Sequence, residues 1–308
     1  MKIEPLGTYS LPGTPCPECK AESIPITLEN LTNYLYGRSI TCPKCNVIID
    51  WWTSLLRHFE WKIPSFLYSF IGAVDSAATI WMKANETVVI DMKDLGIPPD
   101  ARILQVAYSP NGKGLWPIEV HRNIPIRHFI PHKIEIFGKP HGESNPEQIP
   151  VVVSINWVPI NSYDQSLQNY SEAIEAYSIG DYESFIIPAN VAVEYKLYRV
   201  LHHYLSKFSS AKRVTDFLDT HATYSYQLNI LLPLIANHLK FPQLPDHIRG
   251  HLNSLRDYRN DIAHKGKLDD TIDKTQYPKL ICSSFFGLGY VVLFEAEINR
   301  STKESNKN

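Results

Sequence analysis

The sequence predicts a multidomain α+β protein in three parts: a small cysteine-rich metal module, a central antiparallel β domain and a C-terminal helical bundle. Three observations predict it. Two Cys-Pro-x-Cys pairs fall within the first 45 residues, and short apolar runs punctuated by Pro and Gly fill the middle. After about residue 162, apolar residues recur at the helical period. The expected boundaries are 1–55 for the metal module, 56–160 for the β-rich domain, 161–300 for the helical domain and 301–308 for a polar tail.

In the first part, Cys16-Pro17-Glu18-Cys19 and Cys42-Pro43-Lys44-Cys45 are separated by 22 residues. Each CxxC turn brings two thiolates to one ion, and two turns complete a tetrahedron. The pattern resembles a zinc ribbon, which implies one structural Zn2+ per chain bound by Cys16, Cys19, Cys42 and Cys45. Two redox CxxC motifs or four free thiols are the other readings, and a thioredoxin-type motif wants a βαβ context that is absent here. Four sulfur ligands leave no open coordination position, so no catalytic metal is expected. Trp51 and Trp52 close the module and are expected to pack on it, because metal domains of this size bury little alone.

In the second part, Thr87–Ile90, Ile103–Tyr108, Leu115–Val120, Lys133–Phe137 and Val151–Trp157 read as strands. Ser109-Pro110-Asn111-Gly112 is a turn signal, since Asn-Gly accepts positive φ. An antiparallel, sandwich-like β domain is the expected result. His121, His128, His132 and His141 are scattered through it and form no constellation. The apolar window Pro64–Met82 contains Asp75 and reads as buried protein, not as a membrane span.

The third part reads as five helices: Tyr163–Tyr177, Tyr182–Phe208, Ala222–Leu239, His247–His264 and Thr271–Ile298. Cys282 falls in an apolar run of the last one and is expected in its core.

Composition bounds the function. With 30 basic and 32 acidic residues, the net charge is −2, and 44% of residues are hydrophobic. Bulk electrostatics therefore does not announce nucleic acid, and any such function rests on local sites. Met1-Lys2-Ile3-Glu4-Pro5 lacks the apolar core of a signal peptide, and paired CxxC motifs suit a reducing compartment. A cytoplasmic protein without a membrane partner is expected.

The segment Arg256-Asp-Tyr-Arg-Asn-Asp-Ile-Ala-His264 carries the chemistry. On a helix, Ile248, Leu252, Leu255 and Ile262 form one apolar stripe, and Arg259 sits in the middle of it. A guanidinium keeps its charge at any ordinary pH, so Arg259 is expected in a polar cleft between helices or subunits. His264 precedes Lys265-Gly266, a helix stop with Gly at the C-cap.

Arg259, Asn260 and His264, with four residues between Arg and His, resemble the signature of HEPN domains, helical bundles that bind or cleave nucleotides. The helix containing Ala189, Glu194 and Leu205 looks like an earlier HEPN helix with an acidic residue among apolar ones. The resemblance covers roughly the last 145 residues. It implies a metal-independent endoribonuclease, a homodimer through the helical domain with one composite cleft, and a bacterial toxin or antiphage effector acting on RNA. In such a site His264 transfers protons, Arg259 holds phosphate oxygens and Asn260 orients them. Arg256 and Lys265 add phosphate contacts, and Glu194 fixes Arg259 from a neighbouring helix. The zinc ribbon and β domain would then sense a trigger or a regulatory partner. A non-catalytic module that only dimerises or binds nucleotides or nucleic acid is the alternative.

Overall fold

The computed structural model describes residues 3–9, 14–20, 23–24, 27–60, 74–83, 86–110, 118–120, 133–140, 148–159, 164–178, 180–266 and 273–305. The chain begins with β1 (Ile3–Tyr9), β2 (Thr14–Pro15), β3 (Ser23–Ile24), α1 (Leu28–Leu35), β4 (Ile40–Thr41), β5 (Ile48–Ile49) and α2 (Trp51–Glu60). The middle comprises β6 (Val74–Met82), β7 (Thr87–Asp91), β8 (Ala101–Pro110), β9 (Ile118–Val120), β10 (Lys133–Pro140) and β11 (Ile149–Pro159). Helices α3 (Gln165–Ser178), α4 (Ile186–Leu205), α5 (Ala211–Thr220) and α6 (Tyr224–Tyr226) follow. A π-helical turn, Gln227–Leu231, leads into α7 (Leu232–His238), and α8 (Asp246–Lys265) and α9 (Tyr277–Ser305) complete the fold. It is a mixed fold of small antiparallel sheets and a C-terminal helical region, with the cysteine cluster near the N-terminus.

The chain divides into two compact units. The first comprises Met1–Leu11 and Ser65–Tyr163, and carries a four-stranded sheet in the order β1-β6-β11-β8 and a three-stranded sheet in the order β7-β10-β9. Every pairing in both sheets is antiparallel. Alternation along the strands explains why they form: β10 buries Ile134 and Ile136 while exposing Lys133 and Glu135. Ala78, Ile80, Val88, Ile90, Val153 and Ile155 from the two sheets share one core. Within it the Trp157 indole donates to Ser76 Oγ at 3.0 Å, which satisfies the one polar atom of a large buried ring.

The second unit comprises Pro12–Pro64 and Asp164–Asn308. Its centre is α9, in which Phe285, Phe286, Leu288, Tyr290 and Phe294 are fully buried. Helices α1, α2, α3, α4 and α8 all contact α9. This is the one helix among the described residues long and apolar enough to cross a membrane, and 72% of its apolar window is buried inside the protein. At Gly287 the helices cross closely: a Cβ there would lie 2.8 Å from Leu252 Cδ1 on α8 and 3.4 Å from Val193 Cγ1 on α4. A partly buried ion network ties α4 to its neighbours, with Lys196 Nζ 3.1 Å from Asp164 Oδ2 and 2.8 Å from Glu295 Oε2. Burial opposes ionisation of both groups. Hydrogen bonds from Ser166 and Lys196 nonetheless hold the Asp164 carboxyl below its ordinary value, and the two carboxylates raise Lys196.

Several sequence boundaries move. Residues 3–9, assigned to the metal module, form β1 and pair antiparallel with β6 in the sheet unit. The rest of the module packs with the helices as one unit, because its own core is too small to bury Trp51. Trp51 accordingly meets Phe286 of α9 edge-on at 5.4 Å, as well as Tyr34 of α1 at 6.1 Å. The window ending at Met82 contains the central strand β6, and α1, α2 and α5 are helices the periodicity did not single out. Helix α9 runs through Ser305, so residues 301–305 extend a helix where a tail was expected. Asn111-Gly112, residues 115–117 and His121, His128, His132 and His141 lie outside the described residues.

Candidate functional site

The four cysteines converge as their spacing requires. Each knuckle sits in a short hairpin, β2–β3 for Cys16–Cys19 and β4–β5 for Cys42–Cys45. The two turns have the same local geometry. Lys20 N–H donates to Cys16 O and Asn46 N–H to Cys42 O, and both residues take left-handed backbone angles, φ 55° and 57°. The Sγ atoms all lie within 4.8 Å of one another. The pairs Cys16–Cys45 and Cys19–Cys42 stand 3.6 and 3.7 Å apart. A zinc tetrahedron with Zn–S bonds of about 2.3 Å has sulfur edges of about 3.8 Å, whereas a disulfide closes to about 2.05 Å. The cluster therefore fits a structural zinc site. Burial works against ionisation of Cys16, but backbone N–H groups of Cys19 and Glu18 bring its thiol down to about 7. Cys45 has a backbone hydrogen bond from Val47 in its favour, yet burial and the neighbouring sulfurs push it up to about 11. Four sulfurs this close cannot all ionise without a cation between them.

The second cluster lies on α8. Ile248, Leu252 and Leu255 are buried, and Ile262 is half-buried, so the apolar stripe read from the sequence is the face that packs inward. Arg259 continues that stripe where the helix leaves the core. Its side chain is 34% exposed, and NH2 lies 3.2 Å from Glu194 Oε2 on α4. The NH1 group donates to Asn260 Oδ1 at 3.0 Å. Glu194 Oε2 also accepts from Asn190 Nδ2 at 2.9 Å, one helical turn earlier on α4. The guanidinium is thus held between two helices by one carboxylate oxygen and one amide.

Arg256 lies one turn before Asn260 and donates to Asp257 Oδ1 at 2.7 Å and to Asn253 Oδ1 at 3.3 Å. Asn253 in turn exchanges amide hydrogen bonds of 3.0 and 3.1 Å with Asn229, which the π-helical turn carries. Lys265 pairs with Asp261 at 2.9 Å. His264 is exposed in the last turn, and Gly266 ends the helix in the left-handed conformation, φ 75°. Arg259, Asn260 and Glu194 are therefore in contact, while Arg256, Lys265 and His264 line the same helix without joining that contact.

Helix geometry sets a further limit. Five residues of α-helix separate Arg259 from His264 by about 140° of rotation and about 7.5 Å of rise. Asn260 and His264, four residues apart, share a face instead.

One residue contributing to the Arg259 contact went unseen in the sequence. Asn190 stands at i−4 from Glu194, a spacing that marks one helix face. No family model, curated protein or solved structure matches the chain.

Proposed function

We propose that the chain is a metal-independent endoribonuclease of the HEPN type, its helical region a HEPN-like bundle and its two sheets a sandwich. The observation that carries this reading is Arg259: a permanently charged guanidinium at the edge of a helical core, oriented by Glu194 and Asn260. RNA supplies its own nucleophile, the 2′-hydroxyl, which gives up its proton to water, attacks the adjacent phosphorus and expels the 5′-oxygen. Arg259 stabilises the charge that builds on the non-bridging oxygens, and its planar fork suits that task. Asn260 orients the guanidinium or the phosphate. His264, near the negative end of the α8 dipole, donates the proton the leaving oxygen needs. Arg256 and Lys265 add phosphate contacts. The products are a 2′,3′-cyclic phosphate and a 5′-hydroxyl. Because Arg259 and His264 diverge around α8, two copies of the chain build one cleft, each facing the other's motif. Structural zinc holds the cysteine module, which with the β domain serves a trigger or regulatory partner. A toxin or antiphage effector of the cytoplasm fits this combination.

The test is cleavage of single-stranded RNA in EDTA, with bound zinc assayed in the same sample. Wild type cleaves, and Arg259→Ala and His264→Ala abolish cleavage. Equal activity in all three refutes the assignment.

One observation favours a second reading. Glu194 already neutralises Arg259, and the exposed His264 stands away from it, as in a bundle that only dimerises or binds nucleotides. A dimer structure decides: two α8 motifs buried far from each other support the non-catalytic module.

A further inference from the structure

Asn253, Arg256 and Asn260 recur at i, i+3 and i+7 on α8, a polar stripe alongside the apolar one that carries Arg259. Every polar atom of the Asn253 side chain is committed. Its Nδ2 group donates to Arg249 O and to Asn229 Oδ1, both at 3.1 Å. Its Oδ1 accepts from Asn229 Nδ2 at 3.0 Å and from Arg256 NH1 at 3.3 Å. Backbone carbonyls fix the polarity of this chain of bonds. Arg249 O can only accept, so the NH2 end of the Asn253 amide faces it and the oxygen faces Arg256. Asn229 is held the same way, since its Nδ2 also donates to Ser225 O at 2.9 Å. A flipped amide at Asn253 would lose a backbone acceptor and set N–H against a guanidinium.

Asn229 sits on the π-helical turn, a rare conformation that concentrates at functional sites. The two amides would tie that turn to α8 without Arg256. What the arrangement adds is the second lone pair of Asn253 Oδ1, delivered to a half-buried guanidinium. Asp257 takes another edge of Arg256, through Nε at 3.1 Å and NH2 at 2.7 Å. A guanidinium has five N–H donors, so one on each terminal nitrogen is left uncommitted among the described residues. Arg259, three residues on, is its neighbour on the helix surface, held in turn by Glu194 and Asn260. We propose that Asn253, braced by Asn229, is a positioning residue of the α8 site, which aims Arg256 so that Arg256 and Arg259 together grip the phosphodiester backbone of one RNA strand. A guanidinium already held in place gives up less side-chain freedom on binding, so the brace adds affinity. The proposal rests on the reading that the α8 site binds RNA.

The probe is a fluorescein-labelled 2′-O-methyl oligouridylate, which lacks the attacking hydroxyl and is bound without being cut. Its binding to the full chain is followed by fluorescence anisotropy over a series of salt concentrations. The slope of log K against log salt counts engaged phosphates, at about 0.7 each for a single strand. Arg256→Ala lowers the slope by about 0.7. Asn253→Ala removes no charge, yet lowers the slope by a similar amount, and the double variant lowers it no further. A merely structural Asn253 would weaken binding alike at every salt concentration. A wild-type slope in either single variant, or losses that add in the double variant, overturns the proposal. Should Asn253→Ala fail to fold, Asn229→Ala takes its place with the same outcomes. Failure of the nuclease reading alone looks different, with the slopes as expected and unmodified RNA left intact; wild-type protein that binds no strand overturns both.

Discussion

Replacing Gly287 by Ala probes the crossing that sets the distance between the helices carrying Arg259 and Glu194. The added Cβ would stand 2.8 Å from Leu252 Cδ1, 3.4 Å from Leu252 Cδ2 and 3.4 Å from Val193 Cγ1. Carbon atoms prefer about 3.5–4.0 Å, so the nearest contact is short by roughly 1 Å. Leu252 is 1% exposed, and neighbouring Ile248 and Leu255 are fully buried, so its side chain has nowhere open to turn. Overpacking of this kind costs about 1–3 kcal/mol. Ala is a better helix former than Gly by about 1 kcal/mol, which offsets part of it. The net expectation is a destabilisation of about 0–2 kcal/mol, too broad to decide anything alone. A cycle with Leu252→Ala decides it. That substitution by itself costs about 2–5 kcal/mol. In the double variant the clash is gone, and the methyl introduced by Gly287→Ala fills part of the void. The double variant is therefore more stable than the two single effects summed, by about 1–3 kcal/mol. Urea unfolding followed by far-UV ellipticity reads the helical unit, at constant m across the four proteins. Additivity within about 0.5 kcal/mol refutes the close crossing.

Purified protein carries about one zinc per chain by elemental analysis, and Cys42→Ser lowers that content and unfolds the cysteine module; metal-free protein with native near-UV dichroism contradicts the site. Double-mutant unfolding of Arg259→Ala and Glu194→Ala yields a coupling of at most about 1 kcal/mol, since both side chains are about one-third exposed. His247 and His251 have pKa values below the ordinary value, with burial as the first cause, so the folded state favours their neutral forms. The unfolded chain then binds more protons, and stability falls as pH drops below about 6.5 toward the folded values. His251→Gln flattens that fall in thermal melts from pH 7 to pH 5, and an unchanged slope counts against it. Lys196→Met takes this counter-charge from Glu295 and leaves Asp164 with Arg199 alone, at 3.8 Å, and lowers the melting temperature by several degrees; a rise would show the network to be dispensable.

What was legible in the sequence is what local spacing encodes. Two equally spaced knuckles announce a tetrahedron because each presets its own turn, and the structure gathers all four sulfurs. The stripe Ile248–Leu252–Leu255 is helical periodicity, and it marked Arg259 as a cation at the edge of a core. Long-range pairing is different. Strand β1 reads as part of a cysteine-rich segment until β6, some 70 residues later, offers it an edge. Helix α1 is short, capped by Thr27, and hidden between the knuckles, where turn residues dominate the reading. Trp51 looked like a lid for its own module because Phe286 cannot be anticipated from local pattern.

The contact of Trp51 with Phe286 also has a consequence for biosynthesis. The two residues are 235 positions apart (286 − 51), so at about 5–20 residues per second a ribosome needs roughly 12–47 s between them. Throughout that interval the nascent segment carries an indole that Tyr34 of α1 can meet but Phe286 cannot, while the β strands emerge and can pair among themselves. Synthesis of α9 is thus the moment at which Trp51 first meets its aromatic lining from that helix, and a truncated product ending before Phe286 would be a natural client for chaperones.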